Sequence, residues 1–271
     1  MFQADLHCHT TCSDGTLSPE ELVRHAQELG LAGLSITDHD TIGAYSVAIP
    51  LAQELGMRLG SGVEFSSVFR GMSVHILGYD FDLNSPDIHA LCHKHLERRK
   101  ERNRRIIKNL HRLHMEIDEE KLLCQGKGTI GRPHIAALMV EKGYVTTIRQ
   151  AFDLYIGDGK SCFDAGDAIS SEETIDVIHR AGGKGFIAHP HLLKHTNKIK
   201  DLLKLPFDGL ECYYAKFPLD QENKWLHLAK EKGWLISGGS DFHGGVKEHI
   251  PLGCSWVDEE TFGRIFQRRL S

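Results

Sequence analysis

Four short stretches concentrate imidazole and carboxylate side chains: Asp5-Leu6-His7-Cys8-His9-Thr10, Thr37-Asp38-His39-Asp40, Ala188-His189-Pro190-His191 and Ser240-Asp241-Phe242-His243. Each follows an apolar run that reads as a buried strand, and Glu64 and His75 sit the same way. His7 and His9 stand two apart on a strand, so both side chains leave one face and can grip one ion. Imidazole and carboxylate together suit Zn, Mn or Fe rather than a Ca or Mg cage. A lone His-x-His is a weak signal. Repeated at His39, Glu64, His75, His189, Asp241 and His243, it becomes a strong one. So many ligands exceed what one ion can bind, which implies a multinuclear centre and hydrolytic phosphate chemistry.

These groups must be positioned by strands whose ends converge. Strands are expected over residues 2–7, 31–37, 57–63, 184–188, 207–212 and 234–240, with helices over 42–55, 170–181 and 220–232. A further helix opens at Ser18-Pro19-Glu20-Glu21, where Ser18 can cap and Glu21 completes a capping box. Leu22, Ala26 and Leu29 form its apolar stripe, and Gly30 ends it. Strand–helix alternation at this spacing predicts an α/β fold of about seven units, a closed or nearly closed β/α barrel. Barrel enzymes carry their chemistry at the C-terminal strand ends, where these ligands fall.

The middle of the chain breaks the rhythm. Residues 84–165 read as a helical insertion over the active-site mouth, leaving 1–83 and 166–271 to the barrel. Its long first helix, about 87–115, carries Lys94, Arg98, Arg99, Lys100, Arg102, Arg104, Arg105, Lys108 and Arg112. At helical spacing these charges spread around the cylinder, so a solvated face is expected.

Composition narrows the class. With 41% hydrophobic and 25% charged residues, collagen-like, disordered and membrane classes are excluded. No apolar run reaches spanning length, and no targeting segment is expected. The seven cysteines are odd in number, scattered and never spaced Cys-x-x-Cys, as suits free thiols in a reducing cytoplasm. A net charge of −5 beside 18 uncounted histidines says little about partners. No membrane and no obligatory protein partner is expected.

Two other motifs compete for these residues. Asp38-His39-Asp40 mimics the start of phosphatases that form an aspartyl-phosphate, but Ile42 spoils the longer pattern. Gly157-Asp158-Gly159-Lys160-Ser161 resembles the end of a P-loop, but Leu154 stands where its earlier glycine is required.

As a set, the motifs resemble the polymerase-and-histidinol-phosphatase (PHP) metallophosphoesterases. The opening motif of that family looks like Asp5-Leu6-His7-x-His9-Thr10-x-x-Ser13-Asp14-Gly15; the later ones look like Thr37-Asp38-His39-Asp40, Glu64 with His75, His189-Pro190 and Ser240-Asp241-x-His243. The resemblance implies a distorted seven-stranded β/α (TIM-like) barrel holding two to three divalent ions. By position, His7, His9, Glu64 and Asp241 would hold the first ion. Asp14, His39 and His243 would hold a second, and Glu64, His75 and His189 a third, with Glu64 bridging as a catalytic group. An oxygen ligand at Asp14 tilts the expected metal toward Mn, with Fe or Zn as alternatives. Asp38 would act from behind the ligands, orienting a histidine.

The substrate side is sought in the insertion. Gly131-Arg132-Pro133-His134 and Gly159-Lys160 resemble the branch that acts as nucleotide 3′,5′-bisphosphate phosphatase or 5′-to-3′ exoribonuclease. Arg132, His134 and Lys160 would then bind phosphate. The plainer alternative is that the first motif starts a helix and Lys160 is a solvated loop residue. The resemblance implies attack of a metal-bound hydroxide on a nucleotide 3′,5′-bisphosphate, a 5′-mononucleotide or the 5′ end of a short RNA. Histidinol-phosphate phosphatase and a non-catalytic module assisting a polymerase are the competing readings. His191 and His195 remain unassigned.

Overall fold

A computed structural model describes residues 2–125, 130–193, 196–215 and 219–270. The chain forms two sheets rather than a barrel. The first has the order β1 (Ala4–Cys8), β2 (Gly33–Ile36) and β3 (Arg58–Gly60), all parallel. The second has the order β4 (Gly62–Phe69), β5 (Met72–Tyr79), β6 (Lys184–Ile187), β7 (Gly209–Tyr214) and β8 (Leu235–Gly239).

The expectation of a seven-stranded β/α (TIM-like) barrel is therefore corrected to a mixed α/β fold with sheets of three and five strands. Two local features account for the difference. The stretch read as one strand over 57–63 breaks at Ser61, so β3 ends in one sheet and β4 begins the other. Next, β4 turns straight back into β5 as an antiparallel hairpin, where a β/α unit would need a helix. Its turn is Arg70 (φ 48°) and Gly71 (φ 76°), and two consecutive left-handed residues match the twist of a tight hairpin. β5 also pairs antiparallel with β6, whereas β6, β7 and β8 run parallel. Between the sheets, isolated bridges join Cys8 to Phe242 and His39 to Glu64. The predicted ligands gather along this seam.

Helices cover the sheets. α1 (Pro19–Glu28) starts at the expected capping box, with Ser18 and Glu21 each holding the other's backbone N–H. It buries Leu22, Val23 and Ala26 against α2 (Tyr45–Glu54) and the first sheet. After β5 come α3 (Pro86–His111), α4 (Glu119–Gln125), α5 (Arg132–Glu141) and α6 (Ile148–Ala151). These enclose their own apolar cluster, including Ile106, Leu110, Ile135, Met139 and Ile156. The remaining helices are α7 (Ser171–Arg180), α8 (Thr196–Leu202), α9 (Leu219–Lys232) and α10 (Glu259–Ile265).

α3 and its C-cap keep Lys94, Lys100, Arg104, Lys108 and Arg112 exposed, as a solvated basic face requires, but two arginines of the helix turn inward. Arg99 and Arg102 are buried, and Arg99 Nε donates to Asp40 Oδ2 at 2.6 Å. Arg99 also donates to Ser66 Oγ at 2.9 Å, and His95 lies 3.2 Å from Asp40. This ties the helical segment to the end of β2 beside His39. No helix among the described residues is long and apolar enough to cross a membrane.

Candidate metal centre

The strand ends deliver their side chains to one place because their backbones approach closely. At Gly239, an added Cβ would meet His7 N at 2.3 Å, so only glycine lets β8 lie this near β1. Asp5 locks the junction: its Oδ1 accepts from the backbone N–H groups of His7 and Ser240, and its Oδ2 from that of Gly253. Three non-glycine residues here hold a positive φ: Asp40 (60°), His189 (26°) and Asp241 (56°). Such backbone costs about 1–3 kcal/mol per residue and persists where surrounding bonds over-determine it. Those bonds are present: Asp241 N donates to His7 O at 2.7 Å, Asp40 N to Glu64 O at 3.0 Å, and His189 N to Glu211 Oε2 at 2.6 Å.

Glu64 occupies the centre and is buried. Its Oε2 lies 3.2 Å from His7 Nε2, His9 Nε2 and His39 Nδ1 alike. Its Oε1 lies 2.8 Å from both His75 Nδ1 and His189 Nε2. Asp241 Oδ1 stands 3.4 Å from His7 Nε2 and 3.3 Å from His9 Nε2. Asp14 Oδ1 lies 3.4 Å from His243 Nε2 and 3.7 Å from His9 Nδ1. All nine residues expected as ligands are thus brought together. Eight of them form overlapping groups: His7, His9, Glu64 and Asp241; His9, Asp14, His39 and His243; and His39, Glu64 and His75. The third group differs from the expected Glu64, His75 and His189: His39 joins it, while His189 stands outside the groups and its Nε2 meets Glu64 Oε1.

The donor set fits a metal on physical grounds. His7 Nδ1 is engaged by Glu211 Oε1 at 2.7 Å. Its Nε2 faces the Glu64 and Asp241 carboxylates. Burial opposes a charge on the ring, but Glu211, Glu64 and Asp241 raise His7 well above its ordinary value, so without an ion a proton on the ring takes the place that a cation would fill. Two ligand atoms about 2.1 Å from one ion stand roughly 3.0–3.4 Å apart, the spacing found around Glu64 Oε2. His9 Nε2, His39 Nδ1 and Asp14 Oδ1 are buried without a hydrogen-bond partner among the described residues, a costly state unless an ion takes them. Burial opposes ionisation of Glu64, but His39, His75 and His7 hold its carboxyl well below the usual range. Asp14 and Asp241 are held low in the same way, against burial, by His39 and His243 and by Lys247 and His7 respectively.

Several contributors escaped the sequence reading. Glu211 sits inside the apolar strand β7, and only its charge within that run could have marked it. Tyr214 Oη and Lys247 Nζ donate to Asp241 Oδ2 at 2.7 and 2.5 Å, leaving Oδ1 for the cluster. His191 packs its ring 4.7 Å from that of Tyr214, and His195 lies outside the described residues.

Asp38 does not touch a ligand histidine by a hydrogen bond. It accepts from Thr10 N at 2.7 Å and from Thr10 Oγ1 and Ser13 Oγ at 2.6 Å each, holding the turn that carries Asp14. Asp38→Asn is therefore expected to lower kcat/KM by about 10–100-fold through misplacement of that turn. Steady-state kinetics and phosphoryl trapping check this; a covalent phosphoryl group on Asp38 would overturn the positioning role in favour of nucleophilic attack.

The expected substrate residues are placed differently from one another. Arg132 lines a cavity of ≈ 500 Å³ that also reaches Asp14, His39 and His75. It donates to Asp158 Oδ1 at 2.6 Å and to Ile156 O at 3.2 Å, with its guanidinium over Phe152 and Phe163. His134 Nδ1 accepts from Gly131 N at 3.1 Å, which leaves the ring proton on Nε2 when the ring is neutral. Lys160 is exposed on the turn whose preceding residues, Asp158 and Gly159, line the cavity.

A buried set of imidazoles and carboxylates spanning several strand ends defines a hydrolytic metalloenzyme. Comparison with known proteins agrees: the PHP domain matches residues 5–188. The 5′-3′ exoribonuclease of Haemophilus influenzae is 36% identical over 261 residues, covering 94% of this chain and 92% of that protein. The 3′,5′-nucleoside bisphosphate phosphatase of Chromobacterium violaceum is 30% identical, covering 98% and 99% of the two chains. A solved structure from Bifidobacterium adolescentis, described as a metal-dependent phosphoesterase, superposes with a TM-score of 0.88 at 32% identity, covering 99% and 96%. The chain belongs to the PHP family and is a metal-dependent phosphoesterase.

Proposed function

We propose that the chain hydrolyses nucleotide phosphates, namely a 3′,5′-bisphosphate, a 5′-mononucleotide or the 5′ end of a short RNA, with two to three divalent ions held by the nine clustered residues. The observation that carries this is a cavity that joins two chemistries: carboxylate and imidazole at Asp14, His39 and His75, and guanidinium at Arg132. When bound, the ions polarise phosphoryl oxygens and raise the nucleophilicity of water. Glu64 spaces the ligand groups by presenting one oxygen to each side. Arg132, oriented by Asp158 and two rings, supplies charge-assisted donors to phosphate oxygens, with His134 and Lys160 nearby. Mn is the proposed ion because Asp14 adds a hard oxygen ligand. The activities named for the two relatives support a nucleotide substrate.

The segment 84–165 is proposed to cover this cavity as an insertion between 1–83 and 166–271, in keeping with its separate apolar cluster. A cytoplasmic location, without a membrane or an obligatory protein partner, completes the proposal.

The test is an assay panel with added Mn: adenosine 3′,5′-bisphosphate, AMP, histidinol phosphate and a 5′-labelled RNA oligonucleotide. Turnover of at least one nucleotide substrate well above histidinol phosphate is expected. Preference for histidinol phosphate would replace the nucleotide assignment.

A further inference from the structure

Beyond the metal ligands, the wall of the cavity carries more positive charge than its neighbours neutralise. Arg98, Arg99, Arg102 and Arg132 all line it. Arg99 is paired with Asp40, and Arg132 with Asp158. Asp164, also in the wall, spends Oδ1 on Gly166 N at 2.7 Å and lies 3.9 Å from Arg105. Arg98 donates to Asp167 O at 2.6 Å and Ala165 O at 2.9 Å, which fixes its fork while leaving Nη1 buried without a partner among the described residues.

Arg102 is the exceptional member. It is 7% exposed, no carboxylate among the described residues lies within ion-pair distance, and its Nε is buried without a partner among them. Its hydrogen bond to Asn103 Oδ1 is long, at 3.4 Å. Burial first, then the guanidiniums of Arg99, Arg132 and Arg98, push it well below the ordinary arginine value. A guanidinium does not lose its proton in a protein, so this site carries an unbalanced charge that an anion would relieve. The stems of Arg98 and Arg102 pack closely on Gly166, where an added Cβ would meet Arg102 Cβ at 3.2 Å and Arg98 Cγ at 3.4 Å.

We propose that Arg98 and Arg102 form an anion subsite that takes a second phosphate of the substrate, one removed from the phosphate attacked at the metal centre. This rests on the phosphoesterase reading of the centre and deepens it. The ligand chemistry is a phosphate group, supplied either by the second phosphomonoester of a nucleoside bisphosphate or, in a short oligonucleotide, by whichever of the 5′-terminal phosphate and the adjacent internucleotide phosphodiester is not attacked. Arg98 Nη1 and the Arg102 guanidinium are the donors left for phosphate oxygens, and their place on α3 rather than at the strand ends suits a substrate anchored at two points.

The test compares kcat/KM for adenosine 3′,5′-bisphosphate, a 5′-phosphorylated diadenylate and p-nitrophenyl phosphate, in the unsubstituted chain and in Arg102→Gln. The ratio of either two-phosphate substrate to the aryl phosphate should fall by about 10- to 150-fold, the effect of losing hydrogen bonds to a charged group, with metal content unchanged. For the diadenylate the products name the occupant: two AMP mean that the diester is attacked and the 5′-terminal phosphate sits in the subsite, whereas inorganic phosphate and the dephosphorylated dinucleotide mean that the diester sits there. An unchanged ratio in a variant that still cleaves these substrates overturns the subsite and leaves the nucleotide reading intact. An unsubstituted chain that cleaves the aryl phosphate but neither nucleotide overturns both. Should Arg102→Gln fail to fold, Arg98→Gln at its half-buried position gives the same comparison, and Arg102→Lys should retain part of the preference.

Discussion

Glu64→Gln should reduce turnover by more than about 10³-fold, the equivalent of several kcal/mol of lost transition-state stabilisation. The amide keeps the shape of the side chain but presents one acceptor instead of two. Oε2 meets three imidazoles and Oε1 two, so no orientation of the amide serves both sides. Its NH₂ would face nitrogen lone pairs or repel a cation. Single-turnover kinetics at saturating Mn checks this, and activity within tenfold of the parent would remove Glu64 from its central role.

Asp14→Ala or His243→Ala should each lose about one equivalent of metal and lower kcat/KM by about 10²–10³-fold, while the fold persists. Both residues belong to the group with His9 and His39 rather than to the four residues around Asp241 Oδ1. Elemental analysis beside circular dichroism checks the outcome. Retention of every equivalent would show that this group holds no ion.

The clustering of the nine candidate residues was legible in the sequence because they are polar residues interrupting or ending apolar strands, a pattern that burial alone does not favour. The capping box at Ser18 and Glu21 was legible for a similar local reason. The sheet arrangement was not. Arg70-Gly71 lacks the Asn-Gly or Asp-Gly signature of a tight hairpin, and alternating strands cannot announce which neighbours they pair with. Arg99 and Arg102 were hidden because charge on a helix reads as solvated until its surroundings are known. Those surroundings, Asp40 and Arg132, lie far along the chain. Tyr214 and Lys247 converge on Asp241 from separate segments, so no spacing rule links the first to it.

The central claim is that this cluster binds the ions that the reaction needs. Elemental analysis of the protein as purified, followed by chelation, dialysis and stepwise return of Mn, tests it most directly. About two to three equivalents of transition metal, activity lost on chelation and restored in step with bound Mn, is the predicted result. Protein that contains no metal and keeps its full activity through chelation would contradict the account.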